Sequence, residues 1–574
     1  MPAPLLSVVI PAHDAAEWIE ELLDSVLAQD IAAMEVLVVD DRSTDATAEL
    51  IRASAAEDNR VVLLPSSAPG GAGARNTGAV AARGEYLVFA DADDIVPTGS
   101  YRAMVDSLER SGADLAVGDH LKFSPNRTWS PTERWHLFDH AAQRTTLAET
   151  PALLTGRACW NRVFRKSFWE GAGLAFPGVG HADDIVPMTR SVLLAEAIDV
   201  VPVCVYLYRE RAGGVDGSMS NRTDERSFID YLVEETTCAS LVATASPAII
   251  RQQSLLVLDA DGWVHLDRYL AQLPEGAVVP DHVRHALSGL LDELDASVLD
   301  EAAPHRRCLF ALVWSGRFDV AAEFAAAFRA DPMDPRHLLD GWVAALGALL
   351  DAPALVPLDR GALATDGMLT AFLHSAEAVL DDDLRPLVEA AGDVLRRTPS
   401  GGDRSELLAA MRRAVLTGDL RAARRVSALR HHAPVVVDRV TPTRDSLLLE
   451  GPAPSDRLGD SMRFTARSAD EVVAFDLQTG DGRWSGRITA DRLPPTRWTT
   501  SVTFAISTIE VEVPLVTARM PLPPLDDEHL LQPLSDRRDG WRFLVDRRSA
   551  RTLLSRARSF VRRQRTSRDS PPLR

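Results

Sequence analysis

Leu5-Leu6-Ser7-Val8-Val9-Ile10-Pro11 decides the fold: a short, β-branched apolar run closed by proline reads as a buried strand and not as a helix. Downstream, Trp18, Leu22, Leu23, Val26 and Leu27 share one face of an amphipathic helix expected over residues 16–28, with Glu17 and Glu20 in its first turn. Glu35-Val36-Leu37-Val38-Val39 repeats the strand and runs out into Asp40-Asp41, with Ser43, Thr44 and Asp45 available to cap the next helix. Val61-Val62-Leu63-Leu64 and Glu85-Tyr86-Leu87-Val88-Phe89 follow the same pattern. Strands alternating with crossover helices predict a parallel, doubly wound α/β sheet, whose ligands sit beyond the carboxyl ends of the strands. Asp40, Asp41, Asp91 and Asp93 all fall at such ends. No Gly-x-Gly-x-x-Gly follows the first strand, which argues against a dinucleotide site.

Five segments, in order, carry a family resemblance: Ser7 to Asp14, Asp24 to Gln29, Val38 to Asp45, Ala74-Arg75-Asn76-Thr77-Gly78, and Gly84 to Asp94. Together they make residues 5 to about 220 resemble the inverting glycosyltransferases of family 2, of the bacterial cell-surface polysaccharide type. That resemblance implies a GT-A (Rossmann-like) domain and a nucleotide-diphosphate sugar donor, with UDP expected. A breaking bond to a sugar diphosphate builds charge on the leaving group, which a divalent cation stabilises as a Lewis acid. Asp91 and Asp93, two apart where the chain leaves the pleat, offer the hard oxygens that suit Mn²⁺ or Mg²⁺. The resemblance gives metal to Asp93 and a shared duty to Asp91, while Asp94 reads as a cap of the following turn.

Further roles follow from the same resemblance. Donor contacts are expected at Pro11, Ala12, Asp14, Asp40, Asp41, Arg75, Asp91, Arg211 and Ser218. Carboxylates at Asp40 and Asp41 suit hydrogen bonds from a base or ribose, with helix capping as the other reading; for Asp45, capping is preferred. Gly70-Gly71-Ala72-Gly73 reads as a flexible loop presenting Arg75. An inverting transfer needs a general base, and Gly180-His181-Ala182-Asp183-Asp184 fits the place: Asp184 as base, Asp183 as its neighbour, His181 as structural. The competing reading is a pair of acids complementing a helix dipole. Trp160 and Asn161 border the acceptor side, with a core tryptophan as the alternative. The sequence departs from the family pattern at His13-Asp14, Arg42 and Asp183, and at a lengthened loop over residues 213–217 that puts the register of Ser218 in question.

The chain has 574 residues and is 46% hydrophobic, ample for several cores. The expected organisation is a GT-A domain over 1–225, an all-α region over 226–432, a β-sandwich-like domain over 433–530 and a basic tail over 531–574. Helical periodicity marks 228–242, 248–273, 281–299, 308–328, 338–350 and 407–429, with a helix-turn-helix cadence at 311–318 and again at 414–420. Leu255 to Asp261 mimics a strand with an Asp-x-Asp but reads as a helix end followed by a turn at Gly262. Beyond Pro434, short strands alternate with Pro, Gly and Asp turns, a module that would bind glycan or space and dimerise the enzyme as a homo-oligomer.

In a chain of net charge −20, the arginine-rich tail stands apart. It reads either as an interfacial helix making a peripheral membrane contact or as a disordered basic end. Nucleic acid is not an expected partner, because the bulk is acidic and no base-reading module occurs. No long apolar run or signal segment is seen, so a cytoplasmic location is expected, at the inner face of the membrane if the tail binds there. The expected function is metal-dependent inverting sugar transfer to a glycan, teichoic-type or lipid-linked acceptor. The alternative is a catalytically degenerate scaffold.

Overall fold

The computed structural model describes residues 3–211, 224–274, 276–329, 333–353, 355–399, 402–443, 445–453, 461–493, 497–517, 531–534 and 542–545. The chain divides into two compact units, Met1–Ala326 with Pro353–Leu358, and Ala327–Ala352 with Asp359–Arg574.

The first unit opens with β1 (Leu6–Ala12), α1 (Ile19–Leu27), β2 (Met34–Asp40), α2 (Thr47–Glu57), β3 (Val61–Pro65), α3 (Gly70–Ala81) and β4 (Tyr86–Phe89). These four strands are parallel in the order β3-β2-β1-β4, with Val8 in register with Val36 on one side and Val88 on the other. Val8, Val9 and Ile10 are fully buried, so both faces of β1 are covered, as a continuous apolar strand requires. Ser7, buried in the same strand, is satisfied by donating to Glu35 Oε1 at 2.6 Å and accepting from Gly84 N at 2.8 Å.

Beyond β4 the sheet changes character. The chain continues through α4 (Ser100–Ser111), β5 (Leu115–Ser124), β6 (Arg127–Trp129), β7 (Ala142–Thr145), β8 (Arg162–Arg165), α5 (Lys166–Gly171), α6 (Ile185–Leu194) and β9 (Ile198–Arg209). β8 inserts between β4 and β5 and runs antiparallel to both, β9 is parallel to β5, and β7 closes the edge antiparallel to β9. The expectation of a parallel sheet therefore holds for four strands and gives way to a mixed sheet. The strand-helix alternation continues through α4 to β5 and stops there, and β8 is reached only after the chain has laid down β5, β6 and β7.

Helices α7 (Glu225–Val242), α8 (Pro247–Asp259), α9 (Asp261–Ala271), α10 (Asp281–Asp292) and α11 (Pro304–Trp314) belong to the same unit. Arg157, from the segment before β8, donates Nη1 to Glu235 Oε1 at 2.9 Å and Nη2 to Glu235 Oε2 at 2.7 Å. Buried Gln253 and the partly exposed Asp261 complete this cluster. The expected boundary near residue 225 is thus bridged by a desolvated, bidentate ion pair. Residues 255–259 are the end of α8, a helix end as read, but Asp261 and Gly262 lie in the first turn of α9 and not in a loop. A Cβ there would stand 2.5 Å from the Val257 carbonyl oxygen, so glycine is what lets the two helices meet.

The turn after α11 uses Gly316 at φ 71 and leads into α12 (Phe318–Arg329). The second unit contains α13 (Pro335–Asp351), α14 (Arg360–Leu363), α15 (Thr370–Ser375), α16 (Asp381–Arg397), α17 (Glu406–Thr417) and α18 (Leu420–Leu429). A π-helical turn over Ala364–Leu369 joins α14 to α15, and Gly367 within it allows the Trp342 ring to approach where a Cβ would collide at 2.3 Å. Gly418, at φ 69, repeats the turn of Gly316 between α17 and α18.

The strands of this unit are β10 (Val435–Val437), β11 (Arg439–Pro442), β12 (Ser446–Pro452), β13 (Ser461–Arg467), β14 (Val472–Gly480), β15 (Arg483–Thr489), β16 (Arg497–Ile506), β17 (Ile509–Thr517), β18 (Leu531–Leu534) and β19 (Arg542–Val545). Eight of them form one path, β10-β17-β16-β13-β14-β15-β12-β11, antiparallel except at β10-β17. Because β10 also meets β12, the sandwich-like module curls nearly into a barrel around Phe464, Trp484, Trp498 and Phe504. Among the described residues no helix is long and apolar enough to cross a membrane. The basic tail lies outside the described residues apart from β18 and β19.

Replacing Glu235 by alanine removes the bidentate partner of buried Arg157 and leaves it only the partly exposed Asp261, which should cost about 3 kcal/mol. Urea denaturation read by tryptophan fluorescence checks this; an unchanged midpoint would show that the pair contributes nothing.

Candidate active site

Arg75 occupies the centre of the site. It sits on α3, which begins at Gly70, so the glycine run read as a loop is the first turn of a helix. Packing explains the composition: a Cβ on Gly73 would lie 2.3 Å from the Ala68 carbonyl oxygen, and one on Gly78 would lie 2.3 Å from Val9 Cγ1. From that anchored helix Arg75 donates Nη2 to Asp91 Oδ1 and Nη1 to Asp183 Oδ2, each at 2.8 Å. Burial works against its charge, but Asp183 and Asp91 more than offset that, so the guanidinium stays protonated. Asn76 beside it clamps the backbone of Phe176 with two hydrogen bonds of 2.8 and 2.9 Å.

Three carboxylates gather after β4. Burial, then the charge of Asp91, pushes the Asp93 carboxyl up, while Arg211 Nε at 3.0 Å from Asp93 Oδ2 opposes the shift. Asp94 is more deeply buried; burial and then Asp93 and Asp91 raise it too, although its Oδ1 accepts from Arg209 N at 2.6 Å. Tyr206 holds the strand end by accepting from Asp91 N at 2.8 Å.

Opposite them, Ala182 adopts a left-handed φ of 57 and delivers Asp183-Asp184 to the start of α6. Asp184 is the N-cap residue, and its side chain makes no capping hydrogen bond. Burial, then the neighbouring Asp183, raises the Asp184 carboxyl to about 7, with Arg75 pulling the other way. A carboxyl tuned to neutrality is suited to accept a proton at physiological pH.

The ends of β1 and β2 form the remaining wall. Ala12 O accepts from Asp41 N at 2.8 Å, and Pro11 precedes it in β1. Asp14, at φ 44, accepts from Thr44 N at 2.6 Å, which lowers its carboxyl and ties the two loops together. Asp41 is engaged at both oxygens, Oδ1 by Arg42 Nη1 and Oδ2 by Gly70 N, each at 2.6 Å. Asp40 Oδ1 accepts from Ser43 N at 3.3 Å. Asp45 braces the α2 start, accepting from Thr47 N at 2.9 Å and Ala16 N at 3.0 Å.

Residues 7–171 match the profile of Glycosyl transferase family 2. The N-terminal domain belongs to glycosyltransferase family 2. The chain is 28% identical over 211 residues to the uncharacterized glycosyltransferase EpsJ of Bacillus subtilis, covering 36% of this chain and 61% of EpsJ. It is 28% identical over 224 residues to the glycosyltransferase GlyG of Streptococcus pneumoniae, covering 37% of this chain and 72% of GlyG. With the succinoglycan biosynthesis protein ExoO of Rhizobium meliloti it shares 30% identity over 225 residues, 37% of this chain and 62% of ExoO. Among solved structures, S. aureus TarS aligns over 94% of this chain and 84% of its own, at 15% identity and a TM-score of 0.40.

Within the family 2 domain, Trp160 and Asn161 are core residues and not an exposed acceptor platform. Trp160 is 6% exposed and stacks on Tyr206 at 4.3 Å, and fully buried Asn161 donates Nδ2 to Gly118 O at 2.9 Å. His181 is buried edge-to-face against His265 at 5.4 Å, as a structural histidine would be. Ser218 lies outside the described residues. Asp94, read only as a turn cap, and Tyr206 and Asn76, given no role of their own, are site-forming residues. Asp94 had a signal in its acidic neighbours, whereas Tyr206 had none.

An unfolded aspartate titrates near 3.8, while the folded Asp184 keeps its proton to about 7. Its ionisation therefore costs folding stability progressively between those pH values and fully above them. Asp184→Asn should raise the thermal midpoint relative to the native protein more at pH 8 than at pH 4. Equal differences at the two pH values would contradict the assignment.

Proposed function

We propose that this chain is an inverting glycosyltransferase that moves a sugar from a nucleoside-diphosphate donor, with UDP expected, to a hydroxyl of a cell-surface glycan. The observation that carries this reading is the Asp184 carboxyl, raised to about 7 beside Asp183, which Arg75 ties to Asp91 across the site. Asp184 takes the proton of the attacking hydroxyl as that oxygen approaches the anomeric carbon. Asp183, held by Arg75, raises the Asp184 carboxyl and so keeps it basic. Arg211, poised over Trp18 at 4.8 Å and paired with Asp93, is placed to meet a diphosphate. The β1 and β2 ends, with Asp40 between them, face the nucleoside. An acceptor in polysaccharide synthesis is supported by the succinoglycan role that gives ExoO its name.

The donor set fits a divalent cation. Asp93 and Asp94 are raised by burial and by neighbouring carboxylates, so a cation beside them would relieve repulsion that Arg75, Arg209 and Arg211 leave in place. Among the described residues no cluster of three or more side chains could hold a metal by itself. Asp93, aided by Asp91, would supply one or two hard oxygens of a Mn²⁺ or Mg²⁺ shell otherwise filled by phosphates and water. When bound, such an ion neutralises charge on the leaving diphosphate.

A panel of UDP-, GDP-, CDP- and dTDP-sugars with and without Mn²⁺ tests the reading. One donor should stabilise the native protein in a metal-dependent way and be slowly hydrolysed. Asp184→Asn should keep that binding and lose roughly 100-fold or more in turnover, the usual scale for a missing general base. Asp93→Ala should lose the metal-dependent part of binding. Full turnover in Asp184→Asn, or no response to any donor, would overturn the proposal.

A further inference from the structure

α7 lays three side chains, spaced one helical turn apart, along the segment that carries Asp183 and Asp184. Asp230 Oδ2 accepts from Gly180 N at 3.1 Å. Cys238, two turns on, accepts from Thr189 Oγ1 at 3.4 Å. Glu234 lies four residues from each, so its side chain faces the stretch between 180 and 189, where the catalytic pair stands. It is 7% exposed, and none of the described residues donates a hydrogen bond to it. The contrast with the next residue is sharp: Glu235 is neutralised bidentately by Arg157, while Glu234 faces only like charge from Asp183 and Asp230, which adds to burial in raising its carboxyl.

The residue is nearly covered, but its carboxylate oxygens are not among the buried polar atoms left without a partner, so they stay open to solvent while taking no hydrogen bond from the described residues. An arriving hydroxyl can donate to them without displacing a protein partner. We infer that Glu234 is an acceptor-binding residue whose carboxylate takes a hydrogen bond from a hydroxyl adjacent to the one Asp184 deprotonates. The inference rests on Asp184 acting as the base. It specifies the acceptor's chemistry: a neutral sugar or polyol with neighbouring hydroxyls satisfies Glu234, a monohydric alcohol leaves it unpaired, and an anionic group meets repulsion from Asp183, Asp230 and Glu234 together.

The test uses the full chain with the donor selected by the panel above, and three probes: methyl glucoside, n-propanol and methyl glucuronide. The native enzyme should transfer to the glucoside in preference to the other two. Glu234→Gln should raise the glucoside KM by roughly tenfold, the effect of losing one charged hydrogen bond, leave the donor KM within about twofold, and narrow the discrimination against the glucuronide. Glu234→Ala should go further in the same direction, and Gln carries the test should Ala fail to fold. Val233→Ala, on the exposed face of α7, controls for general changes in that helix. A glucoside KM unchanged in Glu234→Gln, a loss shared equally by the donor KM, or native transfer that does not favour the glucoside would overturn the inference. Failure of the underlying reading shows separately, as transfer that survives in Asp184→Asn.

Discussion

One guanidinium holds the two halves of this site together. Arg75 reaches from α3 to a carboxylate at the end of β4 and to another at the start of α6, at 2.8 Å each, and it is largely shielded from solvent. The residues on either side support that reach. Gly73 and Gly78 seat the helix where any side chain would collide, and Asn76 fixes the Phe176 backbone on the path to Asp183. A lysine would supply the charge but not two diverging planar donors, so the geometry explains why arginine stands there.

Around that cation the site carries more negative charge than it neutralises. Asp93, Asp94, Asp184 and Glu234 are all raised, each by burial first and by neighbouring carboxylates next. A structure organised only for stability would pair or expose such groups. The contrast within the same unit is instructive: Glu235 and Glu35, equally buried, are fully matched by Arg157, and by Ser7 and Arg83. Unmatched charge is concentrated where a diphosphate, its cation and hydroxyl donors would arrive, the pattern expected of groups whose partners are ligands.

The sequence made the first four strands and their acidic ends legible because short β-branched apolar runs and strand-helix alternation are local signals. Asp91 and Asp93 were read from their position at a strand end, whereas Asp183 and Asp184 were read from the family resemblance. The antiparallel β8 was not legible, since its neighbours are set by a long excursion through β5, β6 and β7 that no local pattern encodes. Arg75 was named as a nucleotide contact, yet its carboxylate partners lie 16 and 108 residues away and appear only in three dimensions. Trp160 misled for a related reason: an aromatic suits a sugar face and a core equally well, and only Tyr206, distant in sequence, decides for the core. In the second unit, α16 carries three acids in its first turn and Pro386 inside, both of which mask its helical period.

Sharing one cation between Asp91 and Asp183 has a physical consequence for the site as a whole. In a partly desolvated setting, the charges of Asp183, Arg75 and Asp91 add at Asp184 with little screening. Positive charge arriving beside Asp91 offsets part of the negative potential there and so eases ionisation of Asp184. The carboxylates at the end of β4 and at the start of α6 therefore cannot be tuned independently. The same coupling explains why the basic pair is anchored through a buried arginine and two backbone clamps to Phe176, and not left on a solvated loop: a field effect of this kind survives only where water is kept from screening it.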